Sequence, residues 1–281
     1  MNNAAYLVEN QKSQDDDARR LFEEVNADPN NFKFWASALN PLFKSPASYE
    51  VPLTLEWFTW LISDSYTDEM IVKFGQYLID KLRKSLLFQK SPLFLKGQTF
   101  SNKYTFSNCV IQDPNNALDV GSKALNIFYT GLCGDRIESG FVFREFIDPN
   151  NALEAIYDGM PLHTEFRVFY NFDTHRIIRV FPYWDAETMK EALAKRAPND
   201  YDSFVSAVPR LEKDFIQNQQ RVQKCVEDTL QNHEMKVPYT GFANIWSLDF
   251  MLSLSGDIWF IDAAVGSQSY YWAQLSQSEK Q

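Results

Sequence analysis

The apolar pattern of this 281-residue chain changes period once, and that change limits the fold more than any other feature of the sequence. Up to about residue 90 the period is helical. In TDEMIVKFGQYLIDKLRKSLL, Met70, Phe74, Tyr77, Leu78, Leu82 and Leu86 fall at three- and four-residue steps. Thr67 stands where an N-cap would, and Asp68 and Glu69 sit on the positive end of the helix. Ala18 to Phe43 reads as two shorter helices broken near Asp28-Pro29. From Ser91 onward the chain turns to short β-rich runs: PLFLK, KYTF, CVIQ, GFVFREFI, TEFRVFYNF, RIIRVFPYW, GFANIWSLDFML and DIWFIDAAV. Helices are expected between them at 115–131, 186–196 and 201–232. The tetrapeptide Asp-Pro-Asn-Asn occurs three times, from Asp28, Asp113 and Asp148. Its spacing fits no repeat architecture, and it reads as a helix start in which Asp caps and Pro opens the first turn.

Composition narrows the chemistry. The 23 Phe, 13 Tyr and 7 Trp supply ample packing area, so a core forms without disulfide staples. The net charge of −10 repels nucleic acid and anionic lipid, which excludes a broad nucleic-acid surface and leaves any nucleotide to a few local cations. Only 10 glycines are present, and no G-x-G-x-x-G, G-x-x-x-x-G-K-[ST], G-x-S-x-G or H-E-x-x-H occurs. Rossmann, P-loop, α/β-hydrolase and zincin chemistry are thereby disfavoured. Cys109, Cys133 and Cys225 are odd in number and far apart, as expected of reduced structural thiols. The first twenty residues show no secretory leader, and no apolar run reaches membrane-spanning length, so the expected location is cytoplasmic.

Three features carry chemistry. Asp249 and Asp262 lie thirteen residues apart on two strands flanking a Ser-Gly-Asp turn, which makes them near neighbours. Alternation places Asp249 with Ile245, Ser247 and Met251, and Asp262 with Ile258 and Phe260, so each acid sits among core-like residues. Two such carboxylates need a proton, a cation or a basic side chain between them, and Mg²⁺ carrying a nucleotide's phosphates would serve. In PLFLKGQTFSNKYTF, Lys96 closes one strand and Lys103 opens the next, an expected β-hairpin offering two ammonium groups to an anion. The third feature is a pair of strands, FVFREFI and TEFRVFYNF, each with an acid and an arginine among aromatics. In the second, Glu165 and Arg167 share a face, where they either form a surface ion pair or leave the arginine fork for a phosphate. His163 reads as a polar loop residue. Tyr183 and Trp184 lead to Asp185 as a helix cap, and Tyr270, Tyr271 and Trp272 as an aromatic cluster closing a core.

Taken in order, these residues resemble the ATP-grasp superfamily over roughly 91–272. The resemblance implies an α+β fold, with two α+β lobes whose antiparallel sheets clamp a nucleotide. A helical region over 1–90 would be followed by a small clamp lobe at 91–140 and a C-terminal lobe at 141–281 carrying the metal-binding hairpin. It implies Lys96, with Lys103 as a second candidate, on the ATP phosphates. Glu145, Phe146 and Ile147 would form the adenine hinge, Asp148 would take the ribose, and Arg167 would face the triphosphate. Asp249 and Asp262 would hold Mg²⁺. The family commonly has Asn two residues after the second acid, where this chain has Ala264, so a further ligand would come from Ser267 or Gln268. The implied activity is ATP- and Mg²⁺-dependent activation of an acceptor, in most relatives a carboxylate, by phosphoryl transfer for capture by an amine. Arg167 and Lys96 would be the catalytic cations, and the partner a small-molecule or peptide acceptor. The E-F-R-x-F strand and the paired-Asp ending also resemble the cell division cycle 123 branch, which acts in assembly of a translation initiation factor. That likeness implies a non-catalytic assembly protein with a protein partner. A nucleic-acid end-modifying ligase is a third expectation, against which the acidic charge counts.

Overall fold

The computed structural model describes residues 16–134, 136–147, 152–232 and 244–280. Its class is α+β with antiparallel sheets, as expected from the sequence resemblance. The chain makes two compact units from interleaved segments. The first takes the described residues up to Asn31, then Ala47–Asn102 and Asn108–Phe146. The second takes Phe32–Pro46, Lys103–Ser107 and the described residues from Ile147 onward. The expected boundaries at 90 and 140 do not coincide with these divisions. The first ninety residues contribute to both units, because their apolar side chains find partners far along the chain.

The first unit holds an antiparallel sheet in the order β1-β4-β2-β3, with β1 at Ser48–Pro52, β2 at Leu93–Gly97, β3 at Val110–Ile111 and β4 at Gly140–Glu145. Strand β1 lies in the region expected to be helical. It is five residues long, and its partner is β4, with Ser48 opposite Arg144, a pairing that no local period reveals. Alternation gives this sheet two unlike faces. Val51, Leu93, Leu95, Phe141 and Phe143 form one core with the helices, while Glu50, Phe94, Lys96, Val142 and Arg144 share the other face. Helices α1 (16–26), α3 (Leu55–Ile62), α4 (Asp68–Leu82) and α5 (Ala117–Cys133) complete the unit. Thr67 caps α4 as expected, accepting from the Met70 N–H at 3.3 Å.

The Asp-Pro-Asn-Asn copies at Asp28 and Asp113 do not cap helices through Asp. In each, the Asp carboxylate accepts from the backbone and the side chain of the residue two positions on, Asn30 or Asn115. This Asx turn delivers the fourth residue to the helix entrance, where Asn116 caps α5 by accepting from the Asp119 N–H. The third copy lies outside the described residues.

The second unit holds an antiparallel sheet in the order β10-β9-β7-β8. Its strands are β7 (Thr164–Asn171), β8 (Arg176–Pro182), β9 (Ile245–Leu252) and β10 (Ile258–Val265). A short ribbon pairs β5 (Ala155–Ile156) with β6 (Met160–Pro161). One face of the main sheet is apolar. Phe166 stacks on Phe215 of α7 (Tyr201–Asn232) at 5.3 Å, and Phe43 packs on Phe250 and Phe260. Trp35 of α2 (Phe32–Leu39) meets Phe260 edge-on. The first helical stretch thus ends as part of this unit's core. Helix α6 (Ala186–Arg196) starts on Asp185, which accepts from the Thr188 N–H at 2.8 Å. Tyr271 stacks on Phe181 at 4.4 Å and closes a small core, as the C-terminal aromatic cluster predicts. The cysteines are free, and no described helix is long and apolar enough to cross a membrane.

Helices α4 and α5 cross where Gly75 and Gly121 face each other. A Cβ on Gly75 would collide with the Ala117 carbonyl oxygen, and one on Gly121 with that of Ile71. Both obstacles are backbone, so the helices themselves would have to separate. Gly75→Ala is expected to destabilise the first unit by about 1–3 kcal/mol, read as a lower denaturation midpoint, whereas Gly134→Ala, where a Cβ would make only ordinary van der Waals contacts, serves as the mild control.

Candidate functional site

The charged face of the second unit's sheet is built by alternation on β7 and β9. Arg167 stands opposite Asp249, and Glu165 opposite Met251, so Glu165, Arg167 and Asp249 share one face while Phe166, Val168 and Phe250 occupy the apolar one. Arg167 and Asp249 form a bidentate pair, with Nε on Oδ1 at 2.8 Å and Nη2 on Oδ2 at 2.7 Å. The two side chains are only 13% and 9% exposed, so this is a buried pair, not the surface pair with Glu165 that alternation allowed.

Asp262 also stands opposite Asp249. Strict alternation would put it with Phe260 on the apolar face, as expected from sequence. A bulge at Ile261 overturns that. Phe260 pairs with Phe250 and Asp262 with Asp249, so one extra residue turns Asp262 onto the face of Asp249 and Arg167. Its Oδ1 accepts from the Ala263 N–H at 3.1 Å. Ala264, where the resemblance expects Asn, stands opposite Ser247, whose Oγ lies 2.5 Å from Ser269 Oγ. Ser267 and Gln268 lie in the exposed turn that follows β10.

Lys103 is placed differently from expectation. The segment KYTF is not a strand. Asn102 turns the chain with φ of 46°, and Lys103–Cys109 forms kinked 3-10 turns. The expected hairpin with β2 is absent because Gly97 closes a tight turn by donating to the Phe100 carbonyl, while β3 supplies the next strand beside β2. Lys103 instead donates to Glu165 Oε2 at 3.0 Å. Its ammonium lies 4.3 Å from the Tyr183 ring centroid and 5.5 Å from that of Trp184, and Arg167 lies 4.7 Å from Tyr183. Tyr183 therefore faces both cations. Burial works against the Lys103 ammonium, but Glu165, then Tyr183 and Asp249, outweigh it and hold its pKa above the ordinary lysine value. Arg167 is likewise held charged, burial being outweighed by Asp249, Tyr183 and Asp262.

In sequence, Tyr183 and Trp184 read as the approach to a helix cap, with the wall of an acceptor pocket as the alternative. The missed signal is register: the Tyr183 N–H donates to the Glu165 carbonyl at 2.9 Å, which continues the β7–β8 pairing past β8 and lines the two aromatics beside the charged strand. His163 is another correction, since it is buried and not a polar loop residue. Its Nδ1 faces the Leu252 carbonyl at 3.4 Å, and the His163 carbonyl accepts from Trp184 Nε1 at 3.0 Å.

In the first unit Lys96 is buried on the face it shares with Glu50 and Arg144. Glu145 is opposite Leu93, so its side chain belongs to the other face, where Lys90 Nζ meets Oε1 at 2.6 Å. Phe146 and Ile147 are half-buried, and Asp148 lies outside the described residues.

No model of a protein family matches the chain, and no curated protein matches it. Among solved structures it is similar to VanG D-Ala:D-Ser ligase from Enterococcus faecalis, at 12% identity and a TM-score of 0.39, over 88% of this chain and 56% of that one. A RiPP-associated ATP-grasp ligase from Chryseobacterium gregarium, in complex with ADP and a leader and core peptide, matches at 12% identity and a TM-score of 0.35, over 93% of this chain and 57% of that one. Biotin carboxylase from Campylobacter jejuni matches at 8% identity and a TM-score of 0.37, over 84% and 40%. The chain spans about half the length of the solved structures it matches.

Two outcomes test the site's electrostatics. Asp249→Ala strands the buried guanidinium and is expected to destabilise by about 3–5 kcal/mol, whereas the paired change Arg167→Met with Asp249→Leu is close to neutral. Chemical denaturation of the single and double variants separates them. For His163, burial pushes the imidazole down to about 4. The neutral form is therefore favoured in the fold, and its stability is whole above the unfolded value of 6.5 and lost as pH falls toward 4. The loss is on the order of 3 kcal/mol. His163→Gln is expected to flatten that part of the acid denaturation profile.

Proposed function

We propose that this chain is an ATP- and Mg²⁺-dependent enzyme of ATP-grasp type, which activates an acceptor carboxylate by phosphoryl transfer for capture by an amine. The observation that carries the reading is the Ile261 bulge, which brings Asp262 into register with Asp249 on the face that also holds Arg167. Alternation alone would bury Asp262 among Phe side chains. The register instead sets two carboxylates side by side with a guanidinium, an arrangement suited to a divalent cation and the phosphates it carries.

The donor set fits Mg²⁺ in one way only. Among the described residues no group of three or more His, Cys, Asp or Glu could hold a metal ion alone. Mg²⁺ is commonly bound through one or two carboxylates together with substrate phosphates, and Asp249 and Asp262 would be those two. Bound there, the cation would neutralise phosphate charge. The residues of the chain do the rest. Asp249 has both oxygens engaged by Arg167, so a cation on Asp249 would release the guanidinium fork toward a phosphate, for which its geometry is suited. Lys103 supplies a second, half-buried positive charge, kept protonated by Glu165. In the first unit, taken by itself, Lys96 is proposed as a phosphate ligand, and the backbone of Glu145, Phe146 and Ile147 as the adenine contact. Little covalent chemistry falls to the protein, which works by positioning and charge neutralisation. The acceptor is proposed to be a small molecule or a peptide, and the compartment the cytoplasm.

A second reading has support of its own. Ala264 removes a metal-binding oxygen next to the acid pair, and both Asp249 oxygens are held by Arg167, which suits a protein that keeps a nucleotide clamp for assembly of a partner and transfers nothing.

Calorimetric titration with ATP and Mg²⁺ tests both. Wild type is expected to bind, and Asp262→Ala combined with Lys96→Ala to weaken binding at least about tenfold, some 1.4 kcal/mol. Absence of wild-type binding, or undiminished binding by the double variant, would sink the nucleotide reading. ADP release stimulated by a carboxylic acid with an amine identifies the enzyme, while binding without turnover identifies the assembly protein.

A further inference from the structure

We propose that Glu138 is a positioning residue for Lys96: its buried carboxylate holds the turn at the end of β2 so that the lysine keeps one geometry for a phosphate ligand. The proposal rests on the nucleotide reading of Lys96 given above.

Glu138 precedes β4 and is 0% exposed. Its carboxylate is the acceptor at the centre of the turn. The Thr99 N–H donates to Oε2 at 3.0 Å and to Oε1 at 3.3 Å, and the Thr99 hydroxyl donates to Oε1 at 2.8 Å. The Gln98 N–H adds to the same group. Consecutive backbone N–H groups converging on one anion make a nest, and here the chain fills it with its own carboxylate. Gly97 is what lets the carboxylate in, since a Cβ there would overlap the Glu138 carboxyl carbon. Lys96 is the residue next to that contact, so a turn pinned at Gly97–Thr99 also pins the lysine.

Lys96 acts on Glu138 from β2, and on β1 Glu50 accepts from Gln98 Nε2 at 2.9 Å. No bidentate arginine is among the partners described. Burial accordingly pushes the carboxyl up to about 7, against Thr99, Lys96 and Gln98, from an unfolded value of 4.5. A folded pKa above the unfolded one means that the folded chain holds the extra proton. The associated stability is whole below pH 4.5 and is lost as pH rises through 7. Above neutrality the ionised carboxylate is therefore a cost to the fold. Its place beside Gly97 and Lys96 is better explained by what it orients.

Glu138→Gln separates the two roles, because it keeps the size of the side chain and one acceptor oxygen but removes the charge and the other of the two oxygens that hold the Thr99 turn. Near pH 8 this variant is expected to melt a few degrees higher than wild type, with the difference vanishing near pH 5. Its affinity for ATP with Mg²⁺, measured by calorimetry near pH 8, is expected to fall about tenfold, as for other groups that orient a binding residue. Gly97→Ala, which forces the carboxylate away without changing any charge, should weaken the same affinity. A purely structural Glu138 would instead make Glu138→Gln melt lower, and that result overturns the proposal. So does unchanged affinity in Glu138→Gln when wild type binds. A wild type that binds no nucleotide removes the parent reading and this inference with it.

Discussion

The bidentate pair between Arg167 and Asp249 sets the terms for the second unit. It joins the two central strands of the sheet, β7 and β9, at one register position, with both hydrogen bonds short and both groups nearly out of water. A one-residue slip of either strand would carry one charge to the apolar face, among Phe166, Val168 and Phe250, and leave the other unpaired. Buried charge is thus a register device here as well as a candidate binding group. The outward order follows from it: Glu165 two residues back on β7 reaches Lys103, and the β8 strand continues into Tyr183 facing both cations.

The two units solve the same problem in different ways. Each sheet has one face committed to packing, against α4 and α5 in the first and against α7 and the Phe43 segment in the second. Each leaves a second face on which charged side chains lie in a nearly dry setting. In the second unit acids and bases neutralise one another directly. In the first, Lys96 is flanked by a turn whose backbone donors are already committed to Glu138. That commitment fits a chain with few glycines: the turn's N–H groups are satisfied internally by a side chain.

Much of this was legible in the residues. Alternation in TEFRVFYNF correctly paired Glu165 with Arg167 on one face, and the thirteen-residue spacing correctly made Asp249 and Asp262 neighbours. Helices α6 and α7 begin and end where period and capping place them. The failures have a common cause. Strand β1, the 3-10 turns at Lys103, the burial of His163 and the entry of Phe43 into the second core all depend on partners dozens of residues away. The Ile261 bulge belongs with them, since nothing in FIDAA marks one residue as extra until Phe260 and Asp262 must both meet β9.

By itself, the sequence determined the limits of α6 and α7, the face that each charged residue of β7 occupies and the short list of chemically capable side chains, because these follow from local periods of 2 and 3.6 residues and from capping. Only the tertiary structure decided which charges meet. Arg167 takes Asp249 and not Glu165, Lys103 takes Glu165, and Asp262 turns away from its aromatic neighbours. Those choices are made by strand pairing between distant segments, where the observed register joins Arg167 to Asp249 and leaves Glu165 for Lys103, and a one-residue slip would separate the first pair.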